Sequence, residues 1–156
     1  MRIYIASSWK NSELAGIVAE YLRGVGHTVD CFCDQSSGRY VFHWTELVKT
    51  EAELQNYDAI SFLHDARTKW AFSEDKKWLD WAEAVVLVLP AGRSAHLEAG
   101  YARGCGKNLF ILGGFAKGEF DVMYGFADEL YRIEENGLQR LACELQSIEI
   151  IRETIR

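Results

Sequence analysis

The chain has 156 residues, of which 49% are hydrophobic and 26% charged, with 23 acidic against 17 basic side chains and a formal net charge of −6. This length predicts about one domain, residues 1–156, and the composition is that of an ordinary globular protein. The acidic balance argues against binding nucleic acid or an anionic membrane through bulk electrostatics, and no apolar run is long enough to cross a bilayer.

The N-terminal half begins with a strand and a helix. Arg2–Ala6 is a short β-branched and aromatic run, and apolar residues then recur at helical spacing from Leu14 to Val25. A second strand is predicted at Thr28–Phe32, and the length and charge of residues 42–81 favour two or three short helices. The opening apolar stretch is too short for a signal peptide, so we expect a cytoplasmic protein.

The C-terminal half has a second strand, turn, helix and strand unit. The continuous apolar run Ala84–Leu89 is typical of a strand buried on both faces of a parallel sheet. A helix is predicted over Ala95–Arg103, a strand over Asn108–Leu112 and a last helix around residues 138–148. These elements predict an α/β fold: a single-domain doubly wound parallel sheet of the Rossmann or flavodoxin-like type, flanked by helices.

The cysteine pattern points to a reducing compartment. Cys31, Cys33, Cys105 and Cys143 form neither a CxxC pair nor a zinc-type ligand set, so we expect four buried, reduced thiols. The sequence also lacks a dinucleotide-binding glycine fingerprint. No metal or organic cofactor is therefore implied.

Two polar segments follow predicted strands and mark candidate sites, because open parallel sheets bind ligands beyond the carboxyl ends of their strands. A glycine, arginine and serine before a helix suit an anion, a tryptophan can stack on a planar base, and a histidine can donate to a phosphate or sugar or be structural. The residues are Ser7, Ser8 and Trp9 after the first strand, and Gly92, Arg93, Ser94 and His96 after the third.

Glu98 is the strongest catalytic candidate. With Ser94 as the helix cap, Glu98 lies about one turn inside the helix, where the helix dipole favours its ionised form. A charged carboxylate at the mouth of a cleft can trap a sugar as a covalent ester. The alternative is a solvated glutamate that complements the dipole, although Ala102 at i+4 offers Glu98 no ion-pair partner. Asp75 is a second carboxylate candidate, in a stretch whose composition favours a charged helix face.

Four segments carry a family resemblance, in order along the chain. Ile3–Trp9 matches a strand of the form x-I-Y-x-x-x-x-W, and Glu74–Lys76 matches the position of an acidic segment before the central strand. Glu98–Ala102 reproduces the motif E-x-G-Y-A, and Phe120–Asp128 echoes x-N-L-M-x-x-G-x-x-D. Up to about residue 132, the chain resembles the nucleoside 2-deoxyribosyltransferase family.

The resemblance implies specific roles. Glu98 would be the nucleophile, Asp75 would hold the base and assist its departure, and Tyr4 would orient the nucleophile. Trp9 would line the sugar and base pocket with Tyr4. Asp121 and Met123 lie in a segment that, in the family, reaches a neighbouring subunit's site, which implies a homodimer or larger homo-oligomer.

Departures from the family pattern concern the substrate. The loop Ala91–Ser94 is shorter and lacks the aspartate that binds the sugar's 5′-hydroxyl, and so resembles the nucleoside 5′-monophosphate N-glycosidase branch. Asp121 in place of asparagine opposes a phosphate. The expected function is thus cleavage of the N-glycosidic bond of a small (deoxy)nucleoside or its 5′-monophosphate, with hydrolysis favoured over transfer to another base. Base preference and sugar type stay open.

Two other functions stay open at this point. A TIR-like NAD glycohydrolase or signalling domain shares a doubly wound fold and a glutamate after a central strand, and it would release base from NAD while leaving monophosphates untouched. A non-catalytic nucleotide-binding module would bind ligand even after Glu98→Gln and turn over no nucleoside.

Overall fold

The computed structural model describes residues 1–34, 42, 46, 48–118 and 120–155. These residues contain a five-stranded parallel sheet in the order β2-β1-β3-β4-β5, which is the flavodoxin-like doubly wound order and confirms the predicted fold class. The strands are β1 (Arg2–Ala6), β2 (Thr28–Cys31), β3 (Ala84–Val88), β4 (Asn108–Gly113) and β5 (Glu129–Arg132). The helices are α1 (Ser12–Gly24), α2 (Ala59–His64), α3 (Ala66–Trp81), α4 (Arg93–Gly104) and α5 (Gly137–Ile155).

Alternation along β1 divides the core into two layers. Ile3 and Ile5 point into a cluster with side chains of α1 and α5, whereas Tyr4 and Ala6 point into a second cluster with side chains of α3 and α4. Successive side chains of a strand face opposite sides of a sheet, so this assignment follows from the strand itself. Tyr4, which is almost fully buried, therefore lies on the same side of the sheet as α3 and α4.

Several boundaries differ from the sequence prediction. The second strand ends at Cys31, so Phe32 lies in the following turn, and α4 begins at Arg93 rather than Ala95. Residues 51–56 form a 3-10 helix before α2, but α3 runs for 16 residues and is not short. Strand β5 was not predicted: it is a four-residue edge strand in which only Tyr131 is buried, so its sequence lacks a continuous apolar run.

The cysteine prediction is wrong for two positions. Cys31 is buried and Cys33 half-buried, but Cys105 and Cys143 are exposed. Cys105 directly follows α4 and Cys143 lies on α5, positions whose side chains face solvent. Burial raises the pKa of the Cys31 thiol to about 12, so this side chain behaves as a small apolar group at neutral pH.

The start of α5 depends on a glycine. A Cβ atom at Gly137 would lie 2.2 Å from the carbonyl oxygen of Arg132, a backbone atom that cannot swing away. We expect Gly137→Ala to lower the free energy of unfolding by at least about 2 kcal/mol, measured by urea denaturation. Gly24→Ala is the control, because a Cβ there meets nothing within 4 Å, and equal stability of the two variants would contradict this account.

His27 gives the fold a pH dependence. Burial, helped by the nearby Met1 ammonium and opposed by Glu149, lowers the pKa of His27 below its usual 6.5. The unfolded chain therefore binds the proton first, and the free energy of unfolding falls as pH drops below about 6.5. We expect the urea concentration at the unfolding midpoint to decrease when the pH is lowered from 7.5 to 5.5. The decrease should be smaller in His27→Asn. An identical fall in the variant would show that other groups are responsible.

Candidate functional site

A cavity of about 250 Å³ opens where β1 and β3 end side by side. In this strand order, β1 and β3 flank the switch point of the sheet, where chain connections leave toward opposite faces and ligands bind. The cavity brings together both candidate carboxylates and most of the site residues predicted in and just after β1. Its lining residues are Tyr4, Ser7, Trp9, Phe32, Phe42, Asp75, Ser94 and Glu98.

Ser7 links the two strand ends that form the cavity floor. Its hydroxyl donates to the carbonyl oxygen of Val88 at 2.7 Å and accepts from the Asn11 side-chain amide at 3.1 Å. A serine oxygen has two acceptor positions. The described residues occupy one of them, so the other can accept from a substrate. Ser8 lines no described cavity; its side chain caps the 3-10 turn at residues 9–11 by accepting from the Lys10 amide.

Glu98 reaches the cavity from α4 and is half-buried. The predicted cap was wrong: Gly92, not Ser94, occupies the N-cap, and a glycine has no side chain with which to cap the helix. Glu98 is consequently the sixth residue of the helix, two positions deeper than predicted. Because the helix dipole acts mainly on the first turn, it stabilises the Glu98 carboxylate less than the sequence suggested.

Asp75 reaches the cavity from α3 and is also half-buried. The predicted charged face of α3 exists, and it is formed by residues that flank Asp75 in the sequence. Lys76 pairs with Asp80 at 2.5 Å, and Lys77 pairs with Glu74 at 3.4 Å. These i,i+3 and i,i+4 pairs are typical of a solvated helix surface. Asp75 itself lines the same cavity as Glu98.

Asp80 is a surface carboxylate with a fixed charge. Hydrogen bonds from Lys76 and Tyr101 lower the pKa of Asp80, and the Tyr101 hydroxyl donates to it at 2.6 Å. The same hydrogen bond raises the pKa of Tyr101. Asp80 therefore stays ionised at neutral pH and is a poor proton donor.

The other predicted residues lie on the opposite side of α4. A second cavity of about 640 Å³ is lined by Gly92, Arg93, His96, Asp121 and Met123, together with apolar side chains. The structure therefore divides the predicted anion cradle: Ser94 and Glu98, four residues apart on one helix face, line the first cavity, whereas Gly92 and Arg93 line the second.

His96 and Asp121 both have local structural contacts. The His96 Nδ1 lies 2.8 Å from the carbonyl oxygen of Gly92, which only accepts hydrogen bonds, so Nδ1 carries the proton and donates. The His96 ring stacks on Tyr124 with the centroids 6.1 Å apart. Asp121 caps the 3-10 helix at Val122–Phe126 by accepting from the Met123 amide at 2.8 Å.

Two residues that line the first cavity, and one that supports its floor, are not predicted from the sequence. Phe32 packs edge-to-face on Trp9 with ring centroids 5.0 Å apart, Phe42 contributes a further aromatic wall, and Asn11 positions Ser7. Phe32 directly follows β2, at the strand end where ligands of such sheets bind. Its aromatic side chain continues the run Thr28–Cys31, so the sequence predicts a longer strand and does not mark Phe32 as a site residue. Nothing local in the sequence marks Phe42.

Two general site types are not seen in the described part of the chain. None of its helices combines the length and apolar character that a membrane span requires. Within the same residues, no group of three His, Cys, Asp or Glu side chains lies close enough together to hold a metal ion.

Comparison with known proteins finds likeness in structure. A 2-deoxyribosyltransferase from the psychrotolerant bacterium Bacillus psychrosaccharolyticus superposes with a TM-score of 0.55 at 17% identity, over 84% of this chain and 85% of that one. A CMP N-glycosidase of Clostridium botulinum superposes with a TM-score of 0.54 at 15% identity, over 90% of this chain and 98% of that one. No protein-family model and no curated protein matches the sequence. The chain therefore has the fold that a 2-deoxyribosyltransferase and a CMP N-glycosidase also adopt.

Proposed function

We propose that this protein breaks the N-glycosidic bond of a nucleoside or nucleoside 5′-monophosphate through a covalent ester on Glu98. The observation that carries the proposal is that two carboxylates from different helices, Glu98 of α4 and Asp75 of α3, line one cavity at the β1/β3 switch point. Enzymes that cleave a glycosidic bond with retention of configuration at the anomeric carbon usually use two carboxylates, one as nucleophile and one as general acid. The shared fold with two enzymes of nucleoside chemistry supports the same conclusion.

The reaction has two steps. The Glu98 carboxylate attacks the anomeric carbon, the C–N bond breaks, and its electron pair leaves with the base, which takes a proton from Asp75. Water then attacks the anomeric carbon and gives its proton to Asp75, which restores the Glu98 carboxylate and releases the sugar. When a second base attacks instead of water, the product is a new nucleoside. Tyr4, at the cavity floor, orients Glu98. The chain supplies both nucleophile and acid, so the proposed reaction uses no metal or organic cofactor.

The 5′ end of the substrate lies beside the N-terminus of α4. Ser94, in the first turn, lines the cavity with Glu98 and offers a hydroxyl to a 5′-hydroxyl or 5′-phosphate. A helix N-terminus favours an anion, which supports a monophosphate over a free nucleoside. Hydrolysis is favoured over transfer because the loop before Glu98 resembles that of the 5′-monophosphate N-glycosidase branch. We also propose that the protein works in the cytoplasm, where such substrates occur.

We further propose that the protein acts as a homodimer or larger homo-oligomer. Asp121 and Met123 do not line the cavity that holds Glu98 in the same chain, so their substrate role requires a neighbouring subunit. Exposed apolar side chains cluster in this segment, a pattern typical of an interaction surface. They are Phe120, Val122, Met123 and Phe126.

This assembly is tested by a charge substitution. We expect Met123→Glu to lower the molar mass measured by light scattering, because a buried unpaired carboxylate opposes association. Ile150→Glu is the control, since Ile150 is similarly exposed, 63% against 57%, but lies on α5 across the sheet. A wild-type protein that is monomeric at micromolar concentration would contradict the proposal.

The function itself is tested by detecting free base chromatographically. Wild type and Glu98→Ala are incubated with nucleosides, their 5′-monophosphates and NAD, each with and without a second base. Base release from monophosphates that is lost in the variant supports a nucleotide N-glycosidase, and a new nucleoside formed only with the second base supports a transferase. Release from NAD alone would favour the TIR-like activity. No release from any substrate would refute the enzymatic proposal for this panel.

A further inference from the structure

An apolar chamber adjoins the cavity that holds the candidate carboxylates. It has a volume of about 560 Å³ and shares Phe42, Asp75, Ser94 and Glu98 with that cavity. The two spaces therefore meet at the proposed nucleophile and the proposed acid. The chamber lies between α2, α3 and α4, and its other walls are mainly apolar, including Phe62, Leu63, Ala71, Phe72, Leu79 and Leu97.

Three of these apolar walls are left open to solvent. Leu97 is 75% exposed, Phe72 64% and Leu63 59%. Large apolar side chains gathered around one concave surface mark a place that an apolar group covers, because each gains free energy on leaving water. Single exposed leucines are ordinary, but three around one chamber next to a candidate active site point to a ligand.

A buried hydroxyl lines the same chamber. Thr68 of α3 is only 6% exposed, and its Oγ1 finds no hydrogen-bond partner in the described part of the chain. Buried hydroxyl groups in folded proteins nearly always have a partner, so an unpaired one requires an explanation. A polar atom of a bound molecule would supply the missing hydrogen bond, independently of the apolar walls.

The position of the glycosidic bond decides which part of the substrate enters the chamber. The reacting carbon must lie at Glu98, on the boundary between the two spaces, with the sugar on one side and the base extending toward the other. A sugar carries several hydroxyl groups, whereas the chamber walls are mostly apolar, so the base extends toward the chamber. The first cavity, at about 250 Å³, is also smaller than the roughly 300–1,000 Å³ of most ligand sites.

We infer that this chamber receives an aryl or alkyl substituent on the substrate's base, an inference that rests on the proposed function. The sugar occupies the first cavity, the base lies at Asp75, and the substituent packs among the apolar walls with a polar atom at Thr68. The substrate class is thus an N-glycoside whose base carries an apolar substituent.

Binding of free bases tests this inference without requiring turnover. Calorimetry compares N6-benzyladenine with adenine on the wild-type protein, and we expect the benzyl compound to bind at least about tenfold more tightly. Ala71→Leu, which fills the chamber, should reduce this advantage to less than about threefold. Ala66→Leu is the matched control: the same change on the same helix, at an exposed position outside the chamber. Phe72→Ala removes an exposed apolar side chain of the chamber and should also reduce the binding advantage of N6-benzyladenine. This variant tests the inference if Ala71→Leu fails to fold.

Turnover then separates this inference from the proposed function. With 2′-deoxyadenosine, its N6-benzyl analogue and their 5′-monophosphates, we expect a higher kcat/KM for the benzyl substrates and loss of this preference in Ala71→Leu. Equal binding of the two bases would overturn the inference, as would a preference that survives both chamber variants. A lower molar mass in Ala71→Leu and Phe72→Ala would assign the chamber to a subunit interface and also overturn it. Chamber-dependent binding without cleavage of any glycoside would support the chamber and refute the proposed function.

Discussion

Glu98→Gln is expected to lower the rate of base release by at least about 1,000-fold, while the substrate Kd stays within a few-fold of the wild-type value. Glutamine keeps the size of the side chain but lacks the negative charge that attacks the anomeric carbon. Loss of a covalent nucleophile removes an interaction made on the way to the transition state, so the effect falls on kcat rather than on binding. Single-turnover base release and equilibrium binding measure the two quantities separately.

Glu74→Gln is the matched control for this loss. Glu74 lies on α3, pairs with Lys77 and lines neither the cavity nor the chamber. We expect this variant to keep at least half of the wild-type rate. If Glu98→Gln retained more than a tenth of the wild-type rate, Glu98 would not be the nucleophile.

Asp75→Asn is expected to lower the rate by about 100-fold to 10,000-fold with an ordinary nucleoside substrate, the usual contribution of a general acid. The loss should be much smaller with a 7-methylpurine nucleoside, because its positively charged base leaves as a neutral molecule and needs no proton. The ratio of rates on the two substrates therefore separates proton donation from simple positioning.

Asp80→Asn provides the comparison for the acid. Asp80 lies on the same helix, but it is exposed and held ionised by Lys76 and Tyr101. We expect Asp80→Asn to lower the rate less than about threefold on both substrates. An equal loss on both substrates in Asp75→Asn would mean that Asp75 positions the base without protonating it.

The central strands could be predicted because of how they are buried. β3 lies between β1 and β4 with helices on both sides, so every residue of Ala84–Val88 is buried and the sequence shows a continuous apolar run. β5 lies at the edge with a single buried side chain, and its pairing with β4 comes from tertiary contacts rather than from its own pattern. Central strands thus carry a local signal that this edge strand lacks.

The candidate site was predictable in part, and the limit was the start of α4. Tyr4, Asp75 and Glu98 line one cavity, although nothing in the isolated sequence brings α3 against α4. The sequence predicts a turn at Arg93 and Ser94, and a turn would let both side chains contact the same anion. Because the helix in fact begins at Arg93, the two side chains diverge by about 100° around its axis and line different cavities.

The claim that Glu98 forms a covalent ester is tested most directly by mass spectrometry of the intact protein. A 2′-fluoro-2′-deoxynucleoside, or its 5′-monophosphate, destabilises positive charge at the anomeric carbon and so slows hydrolysis of the ester. After acid quench, we predict a mass increase of one fluorosugar per chain, located by peptide mapping to the peptide that contains Glu98 and missing in Glu98→Gln. Base release without any adduct in the wild type, or an adduct on another residue, would contradict the account.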